Sequence, residues 1–328
     1  MRSRALGGYA LRRLVQIVPT LIGIAFVCFF VIQLAPGTAV DARAQMNPKM
    51  TLQARERLTQ LYGLDRPLPE QFGRWITRVA RFDFGRSFVD GETVTRKIAA
   101  AAPVTLLVNG LSLLVILVFG VPLGVLGAVR QGTAADRAAT GVALVGFALP
   151  TFWLALVLMS LFGVTWRFLP VAGLHSLDYE SLAPAARLAD TARHLVLPVF
   201  VSSLTGLAGI SRFMRASMLE ALAQNFIRTA RAKGLSERSV VVRHALRNAL
   251  LPVVTLLGLS IPGLLGGSVL FESIFSLPGM GRLFYLSVYA RDYPVIMGLL
   301  FLGAALTLLG NLLADLAYAW VDPRIRLK

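Results

Sequence analysis

The residues of this chain best equipped for surface chemistry lie in one stretch, Glu220–Ser236, EALAQNFIRTARAKGLS. It sets Arg228, Arg231 and Lys233 against a single acid, Glu220, within a chain that is otherwise mostly apolar. The spacing predicts a helix over Met218–Lys233, with Leu219, Leu222, Phe226 and Ala230 as an apolar stripe of near 3.6-residue period and the basic residues on other faces. Gly234 is expected to stop that helix, because glycine readily takes φ > 0 at a C-terminal cap. Ser236 is placed to N-cap a second helix running through SERSVVVRHALRNALLP. Such a helix–turn–helix recognises charge and shape; it makes no bonds. Two uses fit it: a basic amphipathic helix lying on anionic lipid, or a helix seated in a partner's groove. A rigid turn suits the second use, because it passes a push on to the spans either side.

Bond-making constellations are missing. There is no G-x-x-x-x-G-K-[ST] phosphate cradle, no H-E-x-x-H and no G-x-S-x-G. His175, His194 and His244 lie at or beyond the expected membrane boundaries, with no second His or Cys at metal-ligand spacing, and read as structural. The single cysteine, Cys28, cannot form an intrachain disulfide and reads as a small packing residue. The expected spans are nearly free of the ionisable residues that carry charge in ion-coupled transporters. Asp315 is the clear acid near a span, and it reads as an interfacial capping or snorkelling group. The chain therefore looks like a translocation path without its own engine, and it is not expected to be an enzyme.

The elements that must position the basic segment are membrane helices. The chain has 328 residues, 56% of them apolar and only 15% charged, and a mean hydropathy of +0.68. Soluble domains sit nearer 45–50% apolar. Six uncharged runs reach or approach the ~20 residues that cross the hydrocarbon core: 14–35, 103–129, 138–166, 195–211, 249–271 and 293–314. The fourth is expected to extend past Arg212. The basic lead and long first run read as an uncleaved first helix, since a signal-peptide core is only about 7–15 residues. Among polar residues within the runs, Asn109, Thr151, Ser203 and Ser260 are candidates to line a pore, although such groups often bond a neighbouring helix or their own backbone.

Charge sets the orientation. The net charge of +16 would suggest nucleic acid in a soluble protein. Here it concentrates in segments that six spans place on one side: Arg2, Arg4, Arg12 and Arg13; Arg130 and Arg137; eight Lys/Arg between Arg212 and Arg247; and Arg324, Arg326 and Lys328. By the positive-inside rule that side is the cytoplasm, with both termini inside and no nucleic-acid partner implied. The expected organisation is a cytoplasmic N-terminus and first span over 1–35, an external loop over 36–102, a five-span core over 103–322 with a cytoplasmic coupling loop at 212–248, and a tail over 323–328. The external loop is expected to be helical and ordered, with a helix from Thr51 to Gly63, Phe72, Trp75/Ile76 and Val79 at helical spacing after Pro69, and Val94, Ile98 and Ala101 on one face. A surface-lying amphipathic segment is the alternative. Phe271–Pro294, broken by Pro278, Gly279 and Gly281, reads either as a re-entrant or interfacial turn or as a plain external loop.

EALAQNFIRTARAKGLSERSVVVRHALRNALLPVV resembles the E-A-A…G segment in permease subunits of bacterial binding-protein-dependent ABC importers, dipeptide/oligopeptide/nickel branch. Glu220 and Ala221 match its first positions, Leu222 stands where Ala is usual, and the docking-helix glycine falls at Gly234. GLDRPLPEQFGRWITRVARFDFGRSF, FALPTFWLALVL, FESIFSLPGMGRL with ARDYPVIMG, and DLAYAWVDPRIR are similar to the same branch, in order and spacing, so the likeness covers nearly the whole chain.

The resemblance implies an all-α polytopic fold of the type I ABC importer permease kind, with six transmembrane helices in a bacterial inner membrane. It implies half of a translocation path for peptides, nickel complexes, glutathione or similar solutes. The implied partners are a second, different permease subunit, two ATPase subunits that hold ATP and Mg, an extracytoplasmic solute-binding protein, and membrane lipid; no cofactor is implied for this chain. The ATPase-coupling residues it implies are Glu220, Ala221, Phe226, Ile227, Arg228, Thr229, Ala230, Arg231, Lys233 and Gly234. Glu220 would orient the segment through a hydrogen bond or ion pair, and the three basic residues would meet acidic or polar groups of the ATPase. An ion- or proton-coupled secondary transporter remains the alternative.

Overall fold

A computed structural model describes residues 2–34, 37, 38, 40, 41, 44 and 50–321. The expected tail over 323–328 lies outside the described residues. The chain divides into two compact units, one of residues 1–105, 265–273 and 278–328, the other of residues 106–264 and 274–277.

In the first unit α1 (Arg2–Gln33) packs along α13 (Tyr293–Val321). Asp315 of α13 pairs with Arg13 of α1 at 3.3 Å. The segment after α1 is ordered where it is described. Thr51 caps α2 (Leu52–Tyr62) by accepting the Ala54 amide at 3.2 Å, and Gly63 ends it at φ +66°. The boundaries follow from an N-cap hydroxyl and a left-handed C-cap. α3 (Leu68–Val79) begins with proline in its first turn, where no amide hydrogen is needed. Its Phe72 ring meets Phe26, Phe29 and Phe30 of α1 at 5.6, 5.4 and 6.4 Å. Trp75 stands edge-on to Phe301 at 6.2 Å. Val94, Ile98 and Ala101, at the start of α4 (Val94–Val115), are all buried with Val79, Phe84, Val295 and Leu299. Burying a valine or isoleucine such as Val94 or Ile98 away from water contributes about 1.5–3 kcal/mol. Aromatic and aliphatic packing therefore anchors this segment inward, and α3 spends its apolar face on protein.

Residues 271–294 form a packed turn: α11 (Val269–Ile274) and α12 (Met280–Tyr289). Glu272 is buried, and its carboxylate accepts the amides of Gly281 (2.8 Å) and Arg282 (3.1 Å) and the Thr105 hydroxyl (2.9 Å). The Thr105 oxygen in turn accepts the Met280 amide at 2.9 Å. The first amides of α12 are thus satisfied by a carboxylate from another helix, which the positive end of the helix dipole favours. That packing excludes a plain loop.

In the second unit α4 continues through a π-helical turn, Ile116–Gly120, into α5 (Val121–Val129). Pro122 has no amide to donate, and the turn accommodates the missing bond. α5 lies against α8 (Pro184–Leu222) closely enough that a Cβ on Gly124 would sit 2.5 Å from the Ser211 carbonyl oxygen. α8 has 39 residues, so at 1.5 Å per residue it is roughly 58 Å long against a ~30 Å hydrocarbon core. The expected extension past Arg212 is there, since the same helix runs on without a break to Leu222. α9 (Asn225–Ala232) follows, and α10 (Leu246–Leu265) runs on from a π-helical turn, Val240–Ala245.

Five helices among the described residues are long and apolar enough to cross a membrane: Leu11–Gln33, Val94–Val129, Pro184–Leu222, Glu237–Gly258 and Tyr293–Leu313. The expected run 138–166 is not one continuous helix. It divides at Leu149–Pro150 into α6 (Ala134–Ala148) and α7 (Thr151–Leu158), the latter continued by a π-helical turn, Met159–Thr165. Proline forces the break by biasing the preceding residue away from the helical region. The apolar stretch Thr151–Thr165 is shorter than a span. Six spans thus become five long helices and one interrupted segment.

Candidate functional site

The basic segment is built on two helices where one was expected. α8 ends at Leu222, Ala223 and Gln224 step the chain sideways, and α9 begins at Asn225. The break resets the helical register, which corrects the expected stripe. Phe226 is 40% exposed, whereas Ile227 is fully buried and Ala230 nearly so. Ile227 and Ala230 insert into a core with Met214, Met218 and Ala221 of α8, Ala128 of α5, Val240 and Ala245, and Ala249 and Val253 of α10. One turn of a short helix is thereby rooted in the ends of three long ones.

The C-terminal stop is as the sequence suggests. Gly234 sits at φ +75°, its amide donates to the Arg231 carbonyl at 3.0 Å, and the Leu235 amide donates to the Ala230 carbonyl at 3.4 Å. These two bonds are a Schellman motif, which satisfies carbonyls that the helix end would leave orphaned. Ser236 holds the N-cap position of the next turn, but its hydroxyl makes no capping bond.

The ten sequence-derived site residues separate by role. Glu220 and Ala221 belong to α8: Ala221 is buried in the core, and the exposed Glu220 carboxylate has no partner among the described residues. Ile227 and Ala230 are the roots. Phe226, Arg228, Thr229 and Lys233 make the open face, with the Thr229 hydroxyl donating to the Asn225 carbonyl at 3.1 Å. Arg231 is spent within the chain, its guanidinium forking onto Glu237 at 2.8 and 3.3 Å across the Gly234 turn. That carboxylate raises the Arg231 pKa from its ordinary value, so the charge there is permanent. Periodicity had no means of pairing Arg231 with Glu237, because the two lie on either side of a reversal; the readable signal is opposite charge flanking a helix-stopping glycine. What the arrangement can do is mechanical: the outer face offers one aromatic ring and two cations without ion-pair partners among the described residues, while the inner face is locked.

Other polar groups have local occupations. Among the described residues no group of three His, Cys, Asp or Glu could hold a metal ion. The His175 ring stacks on Tyr179 at 3.8 Å, and Nδ1 of His194 lies 2.8 Å from the Asp190 carbonyl oxygen. Of the pore candidates, Asn109 donates to the Leu264 carbonyl at 2.9 Å, Ser203 to Phe200 at 2.8 Å and Ser260 to Leu256 at 2.9 Å. A cleft of about 1030 Å³ opens in the first unit among Arg66, Arg74, Arg78, Arg86, Trp75 and Phe84. Glu70 neutralises two of its arginines, pairing with Arg66 at 2.6 Å and Arg74 at 3.0 Å.

Comparison with known proteins agrees with this architecture. Residues 120–327 match the family described as "Binding-protein-dependent transport system inner membrane component". The chain is 40% identical over 321 residues to the oligopeptide transport system permease protein AppB of Bacillus subtilis (strain 168), covering 98% of this chain and 99% of that one. It is 39% identical over 336 residues to the dipeptide transport system permease protein DppB of Escherichia coli (strain K12), again covering 98% and 99%. It is 38% identical over 320 residues to the glutathione transport system permease protein GsiC of Salmonella paratyphi A (strain ATCC 9150 / SARB42), with the same coverage.

Proposed function

The chain belongs to the family of binding-protein-dependent transport system inner membrane components, and from that premise we propose that it forms half of an ATP-driven import path for di- or oligopeptides, with α9 as the seat of the ATPase. As a family member it is a multi-pass permease subunit of the bacterial inner membrane, and ATP is hydrolysed in other subunits of the transporter. Family membership favours this reading over a transporter driven by an ion gradient. The peptide class is supported by the relatives named for oligopeptide and dipeptide transport, with glutathione, itself a small peptide, within the same class.

The observation that carries the coupling role is the two-sidedness of α9. Ile227 and Ala230 root it among α5, α8 and α10, while Phe226, Arg228, Thr229 and Lys233 stand open. A groove of an ATPase that closes on ATP would take the Phe226 ring, its acidic rim would meet Arg228 and Lys233, and its displacement would pass through the shared core into three helices. Both termini and α9 face the cytoplasm. The segment between α1 and α4, with its cleft, faces outward, where an extracytoplasmic binding protein delivers solute. A second homologous permease and two ATPase chains complete the assembly, and ATP and Mg are held by the ATPases.

The test is co-purification and uptake. The chain is expressed with its permease and ATPase partners, and Phe226→Asp/Arg228→Glu alters the open face while leaving Ile227 and Ala230 alone. The wild type is expected to retain the ATPases and, in liposomes, to take up an alanine dipeptide with ATP and not with a proton gradient alone. The variant is expected to insert and lose the ATPases. A variant that keeps them would remove α9 as their seat.

A further inference from the structure

Two arginines near the cytoplasmic end of α8 reach across to α6. The Arg215 guanidinium donates to both oxygens of Asp136, Nε to Oδ1 and Nη2 to Oδ2, each at 2.8 Å. Asp136 is buried and also accepts the Gly132 amide at 3.0 Å. Farther along, the Arg212 guanidinium lies 5.3 Å from the Phe147 ring centroid. Gly127 of α5 lies against both partners of the ion pair, so that α5, α6 and α8 converge there. A forked arginine–carboxylate pair with its carboxylate buried and its arginine partly so fixes orientation as well as distance. Read as sequence, Asp136 and Arg215 are ordinary loop charges, 79 residues apart.

Their position gives them a use. Arg215 neighbours Met214 and lies one turn before Met218, and both methionines are buried in the core that holds Ile227 and Ala230. α6 is the first half of the segment interrupted at Leu149–Pro150, and it joins α5 through only a four-residue turn, residues 130–133. A helix cut short by a proline break needs a tie if it is to move with its neighbours. We propose that Asp136 and Arg215 are a positioning pair for transport: they fasten α6 to the stretch of α8 that receives displacement from α9, so that the interrupted segment moves with the docking helix. The pair touches neither solute nor ATPase. This rests on the reading of α9 as the ATPase seat.

The experiment uses the assembled transporter in nanodiscs and liposomes, with Cys28→Ser and spin labels at Ala138→Cys on α6 and Ala216→Cys on α8, both exposed positions. Distances are measured without nucleotide and after trapping with ATP, Mg and vanadate. With the native pair, one narrow distribution with the same centre is expected in both states. Asp136→Asn is expected to broaden it and to lower alanine-dipeptide uptake about ten-fold at unchanged ATP hydrolysis, an uncoupling that a merely stabilising contact would not produce. Arg215→Gln and the double variant are expected to lose no more than Asp136→Asn alone, as partners in one interaction do. An unaltered distribution in Asp136→Asn, or losses that multiply in the double variant, would overturn the proposal. Should Asp136→Asn not assemble, Arg215→Lys keeps the charge, loses the fork and makes the same comparison. If the wild type shows no ATP-driven uptake, the reading of α9 falls, while the distances still decide whether the pair holds α6.

Discussion

Gly234 has open space around the position a Cβ would occupy, so its only demand is a backbone at φ +75°. A side chain there costs conformational strain of about 1–2 kcal/mol and causes no clash. Gly234→Ala is therefore expected to keep insertion and ATPase retention with a partial loss of coupling. Gly234→Val, β-branched, should uncouple ATP hydrolysis from uptake. The ratio of dipeptide imported to ATP hydrolysed reads this out, and a wild-type ratio in the valine variant would show that the turn is not part of the coupling. Glu272 is the opposite kind of residue, since its surroundings decide its role. Its carboxylate takes two amides and a hydroxyl in a buried site. Glu272→Leu would leave those donors unmet at about 1–3 kcal/mol each, so a clear fall in the melting temperature of the detergent-purified chain is expected. An unchanged melt would mean that the turn is held by packing alone.

At the scale of elements, the segment between α1 and α4 is tied by aromatic packing and by carboxylates whose partners are positive or donate hydrogen bonds. The Arg78 guanidinium and then the Gly85 amide hold the Asp83 carboxyl below its usual range, and the Thr38 amide and hydroxyl do the same for Asp41, helped by Arg55. For a group depressed in the folded state, the stabilisation is fully present above the unfolded value, about 3.9 for Asp, and is lost as pH falls through the folded value beneath it. Exchange protection at the Gly85 and Thr38 amides, corrected for intrinsic rate, should thus be the same at pH 7 and pH 5 and weaken only below about 4. Loss of protection between pH 7 and 5 would show that these carboxylates are not the anchors. The same scale explains which helices were legible. Thr51, Gly63 and Gly234 mark boundaries by local chemistry, and Val94, Ile98 and Ala101 share a face by period alone. The break at Ala223–Gln224 carries neither proline nor glycine, so periodicity ran through it and placed Phe226 inside in place of Ile227.

For the whole molecule, the arrangement of charge predicts the sides of the membrane. Asp178 and Ser236 are both exposed and belong to connections expected on opposite faces. In a Cys28→Ser background, Asp178→Cys should react with a membrane-impermeant thiol reagent in intact spheroplasts, and Ser236→Cys only after the membrane is opened. Reversed labelling would invert the topology and remove α9 from the cytoplasm.

Hydropathy, net charge and the positions of glycine and proline determined that this chain crosses the membrane several times and carries one basic helix–turn, because each is a local or summed property that survives without knowledge of contacts. Motif order alone was enough to point to the family. Only the tertiary structure decided which side of α9 is rooted, that Arg231 is occupied by Glu237, that Glu272 caps a helix from inside a core, and that Asp136 meets Arg215. Those outcomes depend on where the chain reverses and where helices cross, which no single helical period encodes, and a register reset of two residues is enough to exchange a buried side chain for an exposed one.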